Sequence, residues 1–294
     1  MSPVVSPKRP RAAFSEPRPR AAFSEPRSRP VAAAAAPAAS TYTAPALEKG
    51  LDILELLAGV DGGLSQATIA QRLDRSTAEL FRMLSVLERR GYLTRGTDAT
   101  YRLSLRLFEL AHQHPPLKRL LTVALPAMQE LAQQSRQSAH LVIHFSRRIL
   151  VVAQVESPEP MGFGVRLGAN FPFRPDRASS RVLTAFQPRD VQEALIAELV
   201  AESPRGVSAA RVRSELAAIA RLGVYMAPSD TTTGVTDLCA PVFDHSEGAV
   251  AALTVPFLKQ RDVKIALPAV RQALLATVAR ISSGLGAQPA PAPA

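Results

Sequence analysis

Apolar and polar positions alternate along this chain in two distinct registers. From Pro45, leucines at 47, 51, 54 and 57 (or Ala58) recur at helical spacing, and Gly62-Gly63 ends the helix they predict. Ser65 can cap a second, short helix with Ile69, Ala70 and Leu73 on its inner face. Ser76-Thr77-Ala78-Glu79 has serine at a cap position and glutamate three residues on, the capping-box pattern. It predicts a third helix running to about Arg90 and stopped by Gly91. Leu80, Leu84 and Leu87 form its inward stripe; Ala78, Arg82, Ser85 and Arg89 form a stripe free to face outward. Tyr92–Arg95 and Tyr101–Leu103 then alternate as strands around a polar loop at 96–100. Helix, helix, capped helix and two-stranded wing define a winged helix-turn-helix, a shape that places one helix in a DNA major groove.

Beyond a closing helix at 105–112, Pro115-Pro116 marks a boundary and 117–134 predicts a long linking helix. The pattern then shifts to period two. Ala139–Phe145 and Ile149–Val155 predict a hairpin, Phe163–Leu167 a third strand, and 238–243 with 250–255 a further pair. Helices are predicted at 178–186, 191–202, 210–222 and 263–285. Hairpins mixed with helices indicate an α+β domain with a largely antiparallel sheet. The expected organisation is a tail at 1–44, a winged-helix domain at 45–113, a linker helix at 114–135, an effector domain at 136–286 and a short tail at 287–294.

Composition adjusts this picture in three ways. The net charge of +10 is unevenly spread: residues 1–45 carry seven basic and two acidic side chains, half of the excess. That segment, rich in Pro, Ala and Arg, repeats Arg-Pro-Arg-Ala-Ala-Phe-Ser-Glu-Pro at 9–17 and 18–26 and is expected to be disordered. It reads as a basic arm adding non-specific DNA affinity or as a plain spacer; an export signal fits less well, because Pro37 interrupts its apolar run and a DNA-binding domain follows. The single cysteine, Cys239, rules out an internal disulfide, and no apolar run reaches membrane-spanning length, so the expectation is a cytoplasmic protein with no membrane association.

Residues 46–112 hold nine basic and nine acidic side chains, so total charge does not decide whether they bind DNA. Between Arg72 and Arg106 the balance is eight basic to four acidic, and the basic residues fall on the third helix and wing. Arg82 and Arg89 are therefore candidates for phosphates or guanine edges. Ser76, Thr77 and Ser85 are candidates for phosphates or bases, with Ser65 and Gln66 at the start of the preceding helix, and Arg95 and Arg102 beside the wing. The competing reading is an ordinary solvated helix face. Catalysis finds little support. His140 and His144 would share one strand face about 13 Å apart, too far for one metal. His112 and His114 lack ligand companions, Cys239 lies within a strand, and no phosphate-cradling glycine loop occurs. No cofactor, metal site or enzymatic activity is expected.

Several runs carry a resemblance. Glu48–Leu54, Phe81–Leu84, Leu87–Tyr92 and Tyr101–Ser104 resemble the N-terminal domain of IclR-type transcriptional regulators. Phe163–Gly168, Ala178–Leu183 and Gly234-Val235 with Leu238–Asp244 are similar to motifs of the same family's second domain. The resemblance covers about residues 45–285. It implies a GAF-like α/β domain that binds a small organic effector, often a carboxylate or aromatic acid. By position it implicates Met161, Phe163, Gly168, Ala178, Ser179, Ser180, Asp230, Asp237, Cys239 and Thr254. Apolar faces on the first helix region (Leu47, Leu51, Leu54) and on the linker helix, with paired half-sites that need two recognition helices, predict a homodimer, or a tetramer, on a double-stranded DNA operator. Ser180 stands where the family's "SGR" start has glycine, and Arg174–Arg177 lack the histidine often found there. Plain core packing competes for Met161, Phe163 and Cys239. The cluster Arg166, Arg174, Arg177 and Arg181 reads as a solvated face or an acid-binding group. A ligand-independent architectural or partner-binding winged-helix protein is the alternative function.

Overall fold

The computed structural model describes residues 44–203, 206–261 and 265–287. The expectations for the tails, 1–43 and 288–294, lie outside the described residues. The chain divides between Leu87 and Glu88 into two compact units.

The first unit contains helix α1 (Pro45–Ala58), the two-residue strand β1 (Leu64–Ser65), helix α2 (Gln66–Arg72) and most of α3 (Thr77–Arg89). Ile53, Leu57, Leu64, Ile69, Ala70, Leu80 and Leu84 are its buried residues. The α1 stripe differs from the spacing reading: Ile53 and Leu57 are buried, whereas Leu47 and Leu51 remain 63% and 47% exposed. Ser65 caps α2 by accepting from the Thr68 amide at 3.2 Å. Ser76 accepts from the Glu79 amide, also at 3.2 Å, so the capping serine starts α3 as its sequence requires.

In the second unit, β2 (Leu93–Arg95) and β3 (Thr100–Leu103) form the antiparallel wing hairpin. Gly91, at φ +77°, supplies the left-handed backbone that turns the chain out of α3. Helix α4 (Arg106–Gln113) buries no residue, while α5 (Pro115–Ser135) buries Leu120, Ala124, Met128 and Leu131.

Six strands follow: β4 (Ala139–Phe145), β5 (Arg148–Val155), β6 (Asn170–Pro172), β7 (Tyr225–Pro228), β8 (Val235–Phe243) and β9 (Ala249–Leu258). They form one antiparallel sheet in the order β6-β5-β4-β9-β8-β7. Strand alternation sends Leu141, Ala153, Leu238, Ala240 and Leu253 to one face. There they pack on α5 and on α9 (Leu267–Gly284) through Met128, Leu131, Leu274 and Ile281. Val142, Ile149, Val151, Cys239 and Ala252 point the other way. They meet helices α6 (Ala178–Ala185), α7 (Arg189–Ala201) and α8 (Ala209–Leu222) through Val182, Leu183, Ile196 and Leu216. This is the expected α+β arrangement, a helix-turn-helix followed by a GAF-like α/β domain.

One expected strand is corrected. Residues 163–167 form no ladder; the third strand is the three-residue β6 further on. The Phe163/Val165/Leu167 alternation imitates a strand, but Gly162 and Gly164 interrupt it and Gly168, at φ +77°, turns the chain back. The Gly168 amide and the Ala169 carbonyl bond to Val151 of the β5 edge just before β6, while 163–166 line a cavity over the sheet.

Candidate nucleic-acid interface and effector cavity

Helix α3 presents a half-cylinder of exposed side chains: Thr77, Ala78, Phe81, Arg82, Val86 and Arg89, with Ser85 half-buried among them. The acidic Glu79 is removed from competition, since Lys49 bonds to its carboxylate and Arg75 lies 3.6 Å away; these cations hold its carboxyl below the usual range. Arg82 and Arg89 make no ion pair among the described residues. Gln66 is used internally: its amide donates to the Thr77 carbonyl at 2.8 Å, tying α2 to the start of α3. Ser65 and Ser76 serve as caps. On the hairpin, Arg95 stacks over Tyr101, its guanidinium carbon 5.5 Å from the ring centre, and Arg102 lies 3.4 Å from Asp98.

In the sheet domain a cavity of about 450 Å³ opens on the α6 face. Its floor is His140 and Val142 of β4, Ile149 of β5, Asp237 of β8 and Thr254 and Pro256 of β9. Register explains the grouping: His140 and Cys239 both lie opposite Thr254, and Asp237 lies opposite Pro256. The 163–166 arch with Phe171 makes one wall, and Asp176, Arg177 and the start of α6 at Ala178 and Ser179 make another. Ser229, Thr231 and Thr232, between β7 and β8, complete it.

Three buried polar atoms of this lining have no hydrogen-bond partner among the described residues: His140 Nδ1, Asp176 Oδ1 and Arg177 Nε. Unpaired buried groups are costly, and Arg174 Nε, Ser180 Oγ and Arg181 Nε close by in sequence are also without a hydrogen-bond partner among the described residues. Burial pushes the His140 imidazole down to about 4, so it is neutral at pH 7. Burial also raises the Asp237 carboxyl above its usual range. Arg177 is half-buried, with its guanidinium carbon 4.8 Å from the centre of the Phe171 ring. It is also the residue that caps α6, and its side chain makes no cap bond to the first amides of that helix.

Of the residues implicated by resemblance, Phe163, Ala178, Ser179, Asp237 and Thr254 line the cavity. The other five do not. Met161 is 73% exposed, and its carbonyl accepts from Gln260. Gly168 occupies the turn described above. Ser180 is fully buried within α6, so its side chain does not narrow the cavity. Asp230 pairs with Arg181 at 3.1 Å. Cys239 is buried on β8 beside its cross-strand partner Thr254, whose hydroxyl donates to its sulfur at 3.2 Å, and burial pushes the thiol up to about 12. The arginine cluster does not form a solvated face: Arg174, Arg177 and Arg181 are half-buried, and Arg166 alone is exposed. Arg174 pairs with Asp176, and Arg181 joins Glu215, Asp230 and the Tyr225 hydroxyl. Arg177 belongs to the arginine cluster offered above as an acid-binding group, whereas spacing missed His140 and Asp176. The only sequence signal for them was a charged or polar residue inside an otherwise apolar strand or at a helix start.

A capped helix whose arginines are unpaired among the described residues, and a separate sheet-borne cavity, define a DNA-binding protein with a ligand-binding domain. The comparisons with known proteins agree. The IclR helix-turn-helix domain profile matches residues 46–96, and the bacterial transcriptional regulator IclR C-terminal profile matches residues 117–283. The chain belongs to the IclR family of transcriptional regulators. It is 27% identical over 245 residues to the glycerol operon regulatory protein of Streptomyces griseus, covering 82% of this chain and 96% of that one. The HTH-type transcriptional regulator BhcR of Paracoccus denitrificans is 26% identical, over 82% of this chain and 87% of its own. Among solved structures, an IclR homolog from Microbacterium hydrocarbonoxydans complexed with 4-hydroxybenzoate has the same fold. Its TM-score is 0.67 at 23% identity, over 82% of this chain and 98% of that one. Among the described residues no helix is long and apolar enough to cross a membrane.

Proposed function

We propose that this protein is a cytoplasmic, non-enzymatic regulator that binds an operator through α3 and the wing and responds to a small organic acid held in the sheet cavity. In this reading residues 45–113 bind DNA, 114–135 connect, and 136–286 bind the effector. Arg82, Ser85 and Arg89 face the major groove, and Arg95 and Arg102 meet phosphates. The exposed leucines of α1 and the wholly unburied α4, with Leu105, Leu107 and Phe108 outward, favour a homodimer, and dimers can pair into tetramers. Two recognition helices then suit an inverted repeat.

The observation that carries the effector reading is the convergence of His140 Nδ1, Asp176 Oδ1 and Arg177 Nε on one cavity. Arg177 and the amides of Ala178 and Ser179 suit a carboxylate, since a helix start carries partial positive charge. Val142, Ile149, Phe163 and Phe171 suit an apolar body, aromatic or aliphatic. The effector acts by binding one arrangement of the dimer more tightly than the other. A thermal-shift titration of small carboxylic acids, 4-hydroxybenzoate first, tests this. An acid at about 100 times its Kd should add roughly 2.7 kcal/mol of stability. Arg177→Ala should abolish the shift. A shift that survives Arg177→Ala removes Arg177 from recognition, and no shift with any acid favours a ligand-independent protein.

A further inference from the structure

Phe81 stands apart on α3. Its neighbours Leu80 and Leu84 are fully buried, as the apolar stripe requires, yet Phe81 is 55% exposed. It lies four residues from Thr77 and four from Ser85, on the edge of the arc that carries Arg82 and Arg89. A large aromatic ring on a surface otherwise prepared for phosphates has no packing reason within the first unit. The arginines beside it make no ion pair among the described residues, so the arc complements a polyanion. The apolar feature of a major groove is the thymine 5-methyl group, which phenylalanine can contact. Position selects Phe81 over Val86, the other large exposed apolar residue of this face. Phe81 is in the N-terminal half of α3, the part of a recognition helix that reaches base edges, whereas Val86 is in the C-terminal half.

We infer that Phe81 is a specificity-determining residue that reads a thymine methyl group in each operator half-site. This rests on the reading of α3 as the recognition helix. The wing arginines and Arg82 supply attraction and orientation; Phe81 supplies discrimination of thymine from cytosine at one position without a hydrogen bond.

The test uses the full-length protein and a duplex recovered by selection from random DNA. Each thymine of one half-site is replaced in turn by deoxyuridine, which deletes only the methyl group. With the wild type, one thymine should stand out, its replacement weakening binding on the order of four-fold, the worth of one buried methyl. Phe81→Ala should bind the thymine and deoxyuridine duplexes equally at that position, and Phe81→Leu should keep part of the difference. Arg82→Ala should weaken both duplexes and preserve their ratio. If no thymine stands out, or the ratio persists in Phe81→Ala, Phe81 does not read a methyl group, although selective binding still supports α3 as the reader. If selection recovers no preferred sequence, both the inference and the DNA-reading assignment fall.

Discussion

Arg82→Ala isolates the contribution of α3 to DNA binding. The side chain is exposed and makes no ion pair among the described residues, so it reaches DNA without first breaking a protein contact. Arg102 differs, since it must leave Asp98 at 3.4 Å, though an exposed pair of this kind is worth only about 0–1 kcal/mol. A base-edge contact by Arg82 carries roughly 1–3 kcal/mol of discrimination per half-site, about 5- to 150-fold in affinity. If Arg82 holds a phosphate instead, the loss is similar on every sequence. The slope of log K against log salt then becomes shallower by about 2 for a dimer, roughly 0.9 per lost contact in each half-site. Fluorescence anisotropy with the selected operator and a scrambled duplex, at four salt concentrations, separates the two roles. Folding should be little affected, within about 0.5 kcal/mol, because the position is on the surface. Unchanged operator affinity, unchanged salt slope and an intact melt together refute the argument that α3 presents Arg82 to DNA.

Two further expectations concern the sheet domain. His140 is neutral and buried, its imidazole pushed down to about 4 from the ordinary 6.5. The unfolded chain therefore binds a proton first as pH falls, so the stability His140 permits is fully present above pH 6.5 and declines between 6.5 and about 4. Chemical denaturation of wild type and His140→Gln across this window should show a shallower acid slope in the variant; identical slopes contradict the assignment. Cys239, fully buried with its thiol pushed up to about 12, should resist iodoacetamide in the folded protein and react only on unfolding. Rapid native labelling would mean that the sheet around Cys239 opens.

Much of the fold was legible because local chemistry and tertiary burial agree. Ser76 and Glu79 define the start of α3, and Leu80 and Leu84 are both a helical stripe and a buried face. The β4–β5 hairpin is equally plain in its alternation. The 163–167 segment shows the limit: a period-two pattern describes which side chains turn inward, not whether a neighbouring strand is there to bond. Edge strands β6 and β7, three and four residues long, are too short for a pattern, and β7 ends in a proline. The candidate site was legible in part for the same reason. Ala178 and Ser179 belong to a recognisable helix start, whereas His140, Asp176 and Arg177 become a group only when β4 register and the α6 approach bring them to one cavity. Their unpaired atoms are a tertiary property that no spacing encodes.

Selective DNA binding is the property on which the regulatory role depends. Capture of sheared DNA from the source genome on the purified protein, at roughly physiological salt and followed by sequencing, tests it most directly. A dimer reading DNA through α3 should give a few sharp peaks sharing an inverted repeat with half-sites about one helical turn apart, or a multiple of it. A flat profile, with retention that follows only fragment length and salt, would contradict it.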